Sequence, residues 1–394
     1  MKKITNIKNV ALYVVLFTLP MFIKLNNIFL VVFFALFLME GDFINKWKNL
    51  KKNYVLFIPL FSIFLLAVFA SLNPIEAWNI KYLEKYWVLL LIPITLFSVE
   101  ETYQAHWRNL FTALLWGCVA TLIICYANVF YEMILGNEPL HYFWRWRHLN
   151  HEFTEIADTH PAYLGLFIVV SIAFILLESS QKKWIKRGVL IFLILGLIQL
   201  ASRTALISLI VVLFALLAPK LKSHKKEIII GVGLFSIVGL LFFNSASSFL
   251  KERLISIENF ENDQRFSRYK ISFEIFKEHP IFGIGFAHKD EARIHKYIES
   301  DFMIAALEKY NAHNQILEYL SVNGLIGGVS YVLVFAYLFY LAWQKKQFFF
   351  LWVLMLFFIA NLTESMLVRI KGIEFFAIIV SLLLIIKKRE QALK

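Results

Sequence analysis

His313 and Asn314 stand where a long polar segment ends and the apolar run 314–342 begins, with Gly324 and Gly327 further along it. An imidazole at the mouth of a membrane helix is a group that can accept a proton near neutral pH. At about 100° per residue, Gly324 returns to nearly the same helix face as His313, three turns further in. Glycines there predict the close approach of a neighbouring helix, which would hold the histidine in place. The plainer alternative is a helix-end histidine beside an asparagine.

Two arginine sites join it. Ser202-Arg203-Thr204 forms a tight hinge between the apolar runs 187–201 and 204–219. An arginine facing lipid at mid-membrane costs roughly 2.5–3.5 kcal/mol on insertion scales, so Arg203 reads as an anion clamp or as an interfacial residue snorkelling to lipid phosphate. Arg265 and Arg268 are three residues apart and share a helix face. Paired guanidinium forks suit a diphosphate, although a solvated surface face is also open. Phe266, Tyr269, Phe273 and Phe276 recur at helical spacing, which predicts an amphipathic helix on the membrane surface that ends at Pro280. The segment 135–160 adds Trp144, Trp146, His148, His151 and His160, suited to interface anchoring or to stacking on sugar rings. His148, His151 and His160 could also suggest a metal, but no pattern of supporting partners around them can be read from the sequence, and no metal is expected.

These groups need a scaffold. The 394 residues are 59% hydrophobic and 17% aromatic, with a mean hydropathy of +0.66, which excludes an ordinary soluble domain. The expected fold is all-α and polytopic, because helices alone satisfy the backbone of such runs in lipid. About twelve spans are predicted: 9–23, 27–40, 54–71, 82–98, 108–134, 161–178, 187–201, 204–219, 227–244, 314–342, 348–365 and 373–386. No small-residue cleavage site follows the first, so it reads as a span and not a cleaved signal. Residues 1–244 then carry nine spans with an outer segment at 135–160. Residues 245–313 form one large outer loop with amphipathic helices, and 314–394 carry three spans and a tail. Cys118 and Cys125 share one apolar run and read as free core thiols.

The net charge of +12 raises the question of nucleic acid. Its distribution answers it. With both termini cytoplasmic, the inner short loops and tails hold 22 of the 40 basic residues, while the large loop is nearly neutral. The charge is therefore a topology signal. Eight of the ten histidines fall on the outer side, which places the working face there.

The His-Asn-x9-Gly-x-x-Gly pattern at 313–327 resembles the signature of the bacterial O-antigen ligase family, which shares its fold with O-antigen polymerases and protein O-oligosaccharyltransferases. Arg203 in Ser-Arg-Thr is similar to a second landmark, and Arg265 ahead of Pro280-Ile-Phe-Gly283-Ile-Gly285 to a third. Gln264 replaces the family's glycine and Tyr269 its tryptophan, which leaves Arg265 or Arg268 as the family arginine. The resemblance implies a GT-C-like glycosyltransferase of the inner (cytoplasmic) membrane with its site facing the periplasm. It also implies a donor glycan on undecaprenyl diphosphate and an acceptor hydroxyl on lipid A-core or another glycan. Arg203 and Arg265 would stabilise the departing diphosphate and His313 would serve the acceptor. Arg268, Asn314, Tyr269 and His160 would contact substrate, with Gly324 and Gly327 packing helices. Direct displacement inverts the anomeric carbon, and no metal or other cofactor is expected. The intact pattern favours a ligase over a polymerase. Protein O-glycosylating members tend to carry a larger C-terminal extension. A transporter or flippase would place paired charges at mid-membrane and show internal repeats, and neither is evident here.

Overall fold

The computed structural model describes residues 2–217 and 264–386. The predicted ninth span, 227–244, and the first part of the large loop, 245–263, lie outside the described residues. Among the described residues there is no strand. The helices are α1 (Lys2–Thr18), α2 (Ile23–Met39), α3 (Phe43–Lys52), α4 (Ile58–Ser71), α5 (Val88–Ser98), α6 (Glu100–Leu135), α7 (Asn150–Glu155) and α8 (Pro161–Leu177). They continue with α9 (Lys183–Leu200), α10 (Arg203–Leu217), α11 (Gln264–Glu278), α12 (Gly285–Glu299), α13 (Met303–Leu307), α14 (Gln315–Gln344), α15 (Phe348–Asn361) and α16 (Ile370–Ile385). The remaining predicted apolar runs overlap these helices, although the first part of 82–98 is a 3-10 segment, Ile80–Trp87. Among the described residues, three segments are long and apolar enough to cross a membrane, Tyr54–Ser71, Glu101–Leu135 and Gln315–Gln344. A fourth arises if α2 and α3, bent by 107°, are counted together. The described residues are thus those of an all-helical membrane protein, with three to four clear candidate spans among them.

Two compact units divide the chain. One comprises residues 1–12, 28–110 and 260–394. Its centre is α16, whose residues Lys371–Ile385 are all buried, the charged Lys371 and Glu374 near its start among them. Phe376 of α16 lies 5.6 Å from Phe335 of α14 and 5.4 Å from Phe357 of α15, in stacked arrangements. The other unit comprises residues 13–27 and 111–259. There α8 is buried along most of its length, and Gly165 lets α10 come so close that a β-carbon would sit 2.7 Å from that of Ala205. Cys118 and Cys125 are buried free thiols, Cys118 lying 3.7 Å from Ser171 Oγ.

The α14 helix is not continuous. Gly324 has φ 64° and ψ −159°, a region open essentially to glycine alone, and it breaks the ladder. The loop between α11 and α12 fills the break: Leu325 N–H donates to Pro280 O at 2.8 Å and Ile284 N–H donates to Ser321 O at 3.0 Å. Backbone groups freed inside an apolar helix must find partners, and this loop supplies them. The sequence predicts a neighbouring helix against Gly324. What approaches instead is the Ile281–Phe282 backbone, and Gly327 faces Asn323 and Tyr319 of its own helix. The common face drawn from His313 to Gly324 assumed an unbroken helix and is corrected accordingly.

Candidate active site

His313 is placed by a turn and not by helix packing. Its backbone is left-handed (φ 48°), and its N–H donates to Asn311 Oδ1 at 2.9 Å. Asn314 caps α14, its Oδ1 accepting from the N–H groups of Ile316 and Leu317 at 2.9 and 3.1 Å. The same side chain donates through Nδ2 to Leu362 O at 3.0 Å. The Tyr269 hydroxyl donates to Leu362 O at 3.1 Å and approaches His313 O at 3.4 Å. Asn314 and Tyr269 therefore tie α11, the start of α14 and the end of α15 together around the imidazole.

The turn after α15 delivers a residue that the motifs do not mark, Glu364. Its Oε2 lies 3.1 Å from His313 Nδ1, an ion-pair distance set off the hydrogen-bond line. Its Oε1 is 4.0 Å from the Arg265 guanidinium. Glu364 is largely buried, whereas the Arg265 side chain keeps 35% of its surface exposed. One carboxylate thus faces both the candidate base and a candidate phosphate ligand. The signal for it was present in Asn361-Leu-Thr-Glu364-Ser365, a polar break between two apolar runs on the same side as His313.

Arg265 and Arg268 do not form one exposed pair. Arg268 is buried at 6% exposure, on the face of α11 that also carries Ile271, Ser272 and Ile275. Its guanidinium stacks over Tyr310 at 4.0 Å, and burial pulls its pKa below the ordinary arginine value. Tyr310 in turn meets His313 edge-on, with ring centroids 6.0 Å apart. Of the predicted aromatic face, Phe266 and Phe273 are exposed.

Beneath the turn is a second buried pair. Arg293 of α12 meets both carboxylate oxygens of Glu318, at 3.2 and 3.0 Å, and donates to Ser321 Oγ at 3.0 Å. Glu318 Oε2 also accepts from Ala312 N–H at 3.1 Å, one residue before His313. Desolvation works against the Arg293 charge, but Glu318 outweighs it and holds the guanidinium above its ordinary pKa. Truncating one partner of such a pair strands the other charge. Arg293→Met should therefore destabilise the protein by about 3–5 kcal/mol. Thermal unfolding in detergent measures this, and an unchanged midpoint would remove Arg293 from the support of the site.

The other unit holds Arg203 and His160. Arg203 begins α10, directly after a sharp turn at Ala201 (φ 45°), and Ser202 Oγ accepts from Ala205 N–H at 3.4 Å. The expected hinge is therefore present. His160 caps α8, its Nδ1 accepting from Ala162 N–H at 3.3 Å, and stands edge-on to His151 and Tyr163. His148 is buried between Glu138 and Glu132, with Nε2 3.4 Å from the former and Nδ1 3.7 Å from the latter.

Residues 188–332, which include Arg203, Arg265, His313 and the glycine pattern, match the sequence profile of a family described as O-antigen ligase. No curated protein matches the chain. That match supports membership of the O-antigen ligase family, whose members are glycosyltransferase-like enzymes acting on lipid-linked glycans and glycan acceptors.

Proposed function

We propose that the protein transfers a glycan from undecaprenyl diphosphate to a sugar hydroxyl of lipid A-core at the periplasmic face of the inner membrane. The supporting observation is the cluster of His313, Glu364 and Arg265 at the head of a candidate membrane helix. The acceptor hydroxyl attacks the anomeric carbon, His313 takes the proton, and the bond to the diphosphate breaks. Attack from the face opposite the departing group inverts that carbon. Arg265 balances the charge developing on the diphosphate, and loss of one such preorganised donor costs on the order of 10²–10³ in rate; the family resemblance suggests the same role for Arg203. Glu364 holds the imidazole and offsets its charge once protonated. Asn314, Tyr269 and Arg268 keep the turn in place, and His160 offers a ring to a sugar. In this reading twelve spans place both termini in the cytoplasm. Residues 1–244, 245–313 and 314–394 then form the first nine spans, the periplasmic loop and the last three.

The test is deletion of the gene in its native host, followed by a lipopolysaccharide gel. Ligation predicts loss of every O-chain band, with lipid-linked polymer accumulating, and rescue by wild type but not by Arg203→Ala or His313→Ala. A surviving band of core plus a single repeat unit would reassign the protein as a polymerase. An unchanged ladder would overturn the proposal.

A further inference from the structure

We propose that α3 is an in-plane surface helix that docks onto anionic phospholipid headgroups at the membrane boundary beside the end of α2. The sequence Phe43-Ile-Asn-Lys-Trp-Lys-Asn-Leu-Lys-Lys52 follows a left-handed turn at Gly41 and Asp42 and leaves α2 at 107°. One side of α3 is held by its own unit. Lys46 is buried, donating to Phe37 O at 2.7 Å and pairing with Glu40 at 2.9 Å. Glu40 also takes Lys8 at 2.7 Å, and Asn49 Nδ2 donates to Ser98 O at 2.8 Å.

The opposite side is apolar and uncovered. Phe43, Ile44 and Trp47 are 56%, 85% and 60% exposed, although they are the largest apolar groups of the helix. At about 100° per residue these three fill one arc; Lys48 lies just beyond it and Lys52 further round. Lys51 sits within the arc, its ammonium 5.5 Å from the Trp47 ring. Lys48, Lys51 and Lys52 are all exposed.

An apolar arc bordered by lysines is the pattern of a helix lying at the boundary between headgroups and acyl chains. The long lysine stems reach outward from it to the phosphates. Burial of α3 as the second half of a bent span is disfavoured by its four lysines, each costly at mid-membrane. Three exposed cations and no exposed carboxylate beyond Asp42 fit an anionic headgroup layer and not a zwitterionic one. In the orientation proposed above this is the cytoplasmic leaflet, but the docking itself does not depend on that reading.

The test uses the full-length protein with Ile44→Cys, labelled with a polarity-sensitive fluorophore; Cys118 and Cys125 are buried and should not react. It is reconstituted into phosphatidylcholine vesicles containing phosphatidylglycerol, with bromine on the acyl chains of one lipid or the other. Quenching by the brominated lipid then reports which lipid sits against α3. A lysine near an anionic surface contributes about five-fold in association, so the expected preference for phosphatidylglycerol is about ten-fold or more. K48Q, K51Q and K52Q together should bring it close to unity while quenching by bulk lipid persists. Equal quenching by both lipids before the lysines are removed would overturn the proposal. So would absence of quenching by either, the result expected if a second copy of the chain covers this face.

Discussion

Glu364→Gln should lower glycan transfer by two or more orders of magnitude while leaving the protein folded. The substitution preserves shape and removes only charge. It withdraws the carboxylate 3.1 Å from His313 Nδ1, and with it the group facing Arg265 at 4.0 Å. A histidine that has lost its facing carboxylate loses support for its protonated form; in hydrolytic triads, where the carboxylate also fixes the tautomer, the loss costs about 10⁴. The effect here is expected at 10²–10⁴, because Tyr269 and Asn311 still hold the backbone of the turn. Transfer is measured with purified protein, a polyprenyl-diphosphate glycan and core acceptor, against unfolding midpoints that should not move. Glu364→Gln combined with His313→Ala should be little worse than His313→Ala alone, since groups that act as a unit are not additive. Wild-type transfer by Glu364→Gln would remove the pair from the mechanism.

Gly324→Ala should cost about 2–5 kcal/mol, through backbone strain at a glycine-only conformation and overpacking against the loop. The added β-carbon would lie 2.3 Å from Ile281 O and 2.6 Å from Phe282 N, which are backbone atoms and cannot swing aside. Relief requires the Pro280–Gly285 loop to leave the break in α14. That forfeits the bonds from Leu325 N–H and Ile284 N–H and exposes unpaired backbone in an apolar setting. The loop also bears against the segment that follows α4, where Asn73 Nδ2 donates to Gly283 O at 3.0 Å, so the damage should spread through the unit. A lowered unfolding midpoint in detergent is the expected reading. Gly188→Ala is the control, since a β-carbon there meets nothing within 4 Å and helix propensity alone predicts a slight gain. Equal midpoints for the two variants would mean that the break is not maintained by glycine.

Much of this protein was legible in one dimension. Hydropathy and length placed the helices, because an apolar run in lipid has no alternative to intrahelical hydrogen bonding. The boundary at 313–314 followed from the change from polar to apolar, and Asn314 is the kind of residue that caps a helix there. Arg203 could be set in a hinge from the two apolar runs beside it, and the residues from Arg203 to Gly327 carried the family resemblance.

Other features depended on parts of the chain that are remote in sequence. Glu364 meets His313 from about fifty residues away, and no spacing rule links a turn after one helix to the cap of another. The difference between Arg265 and Arg268 is likewise tertiary: Tyr310 covers the guanidinium of Arg268, while Arg265 stays partly exposed. Gly324 was read as a point of helix contact because periodicity assumes an unbroken helix. Its positive φ and the loop that enters there are tertiary facts. The sequence by itself determined the membrane class, the helices and the residue types available for phosphate and proton chemistry, since these follow from local composition and backbone physics. The tertiary structure decided which of those residues meet, because contact depends on how distant segments pack, and local composition does not encode that.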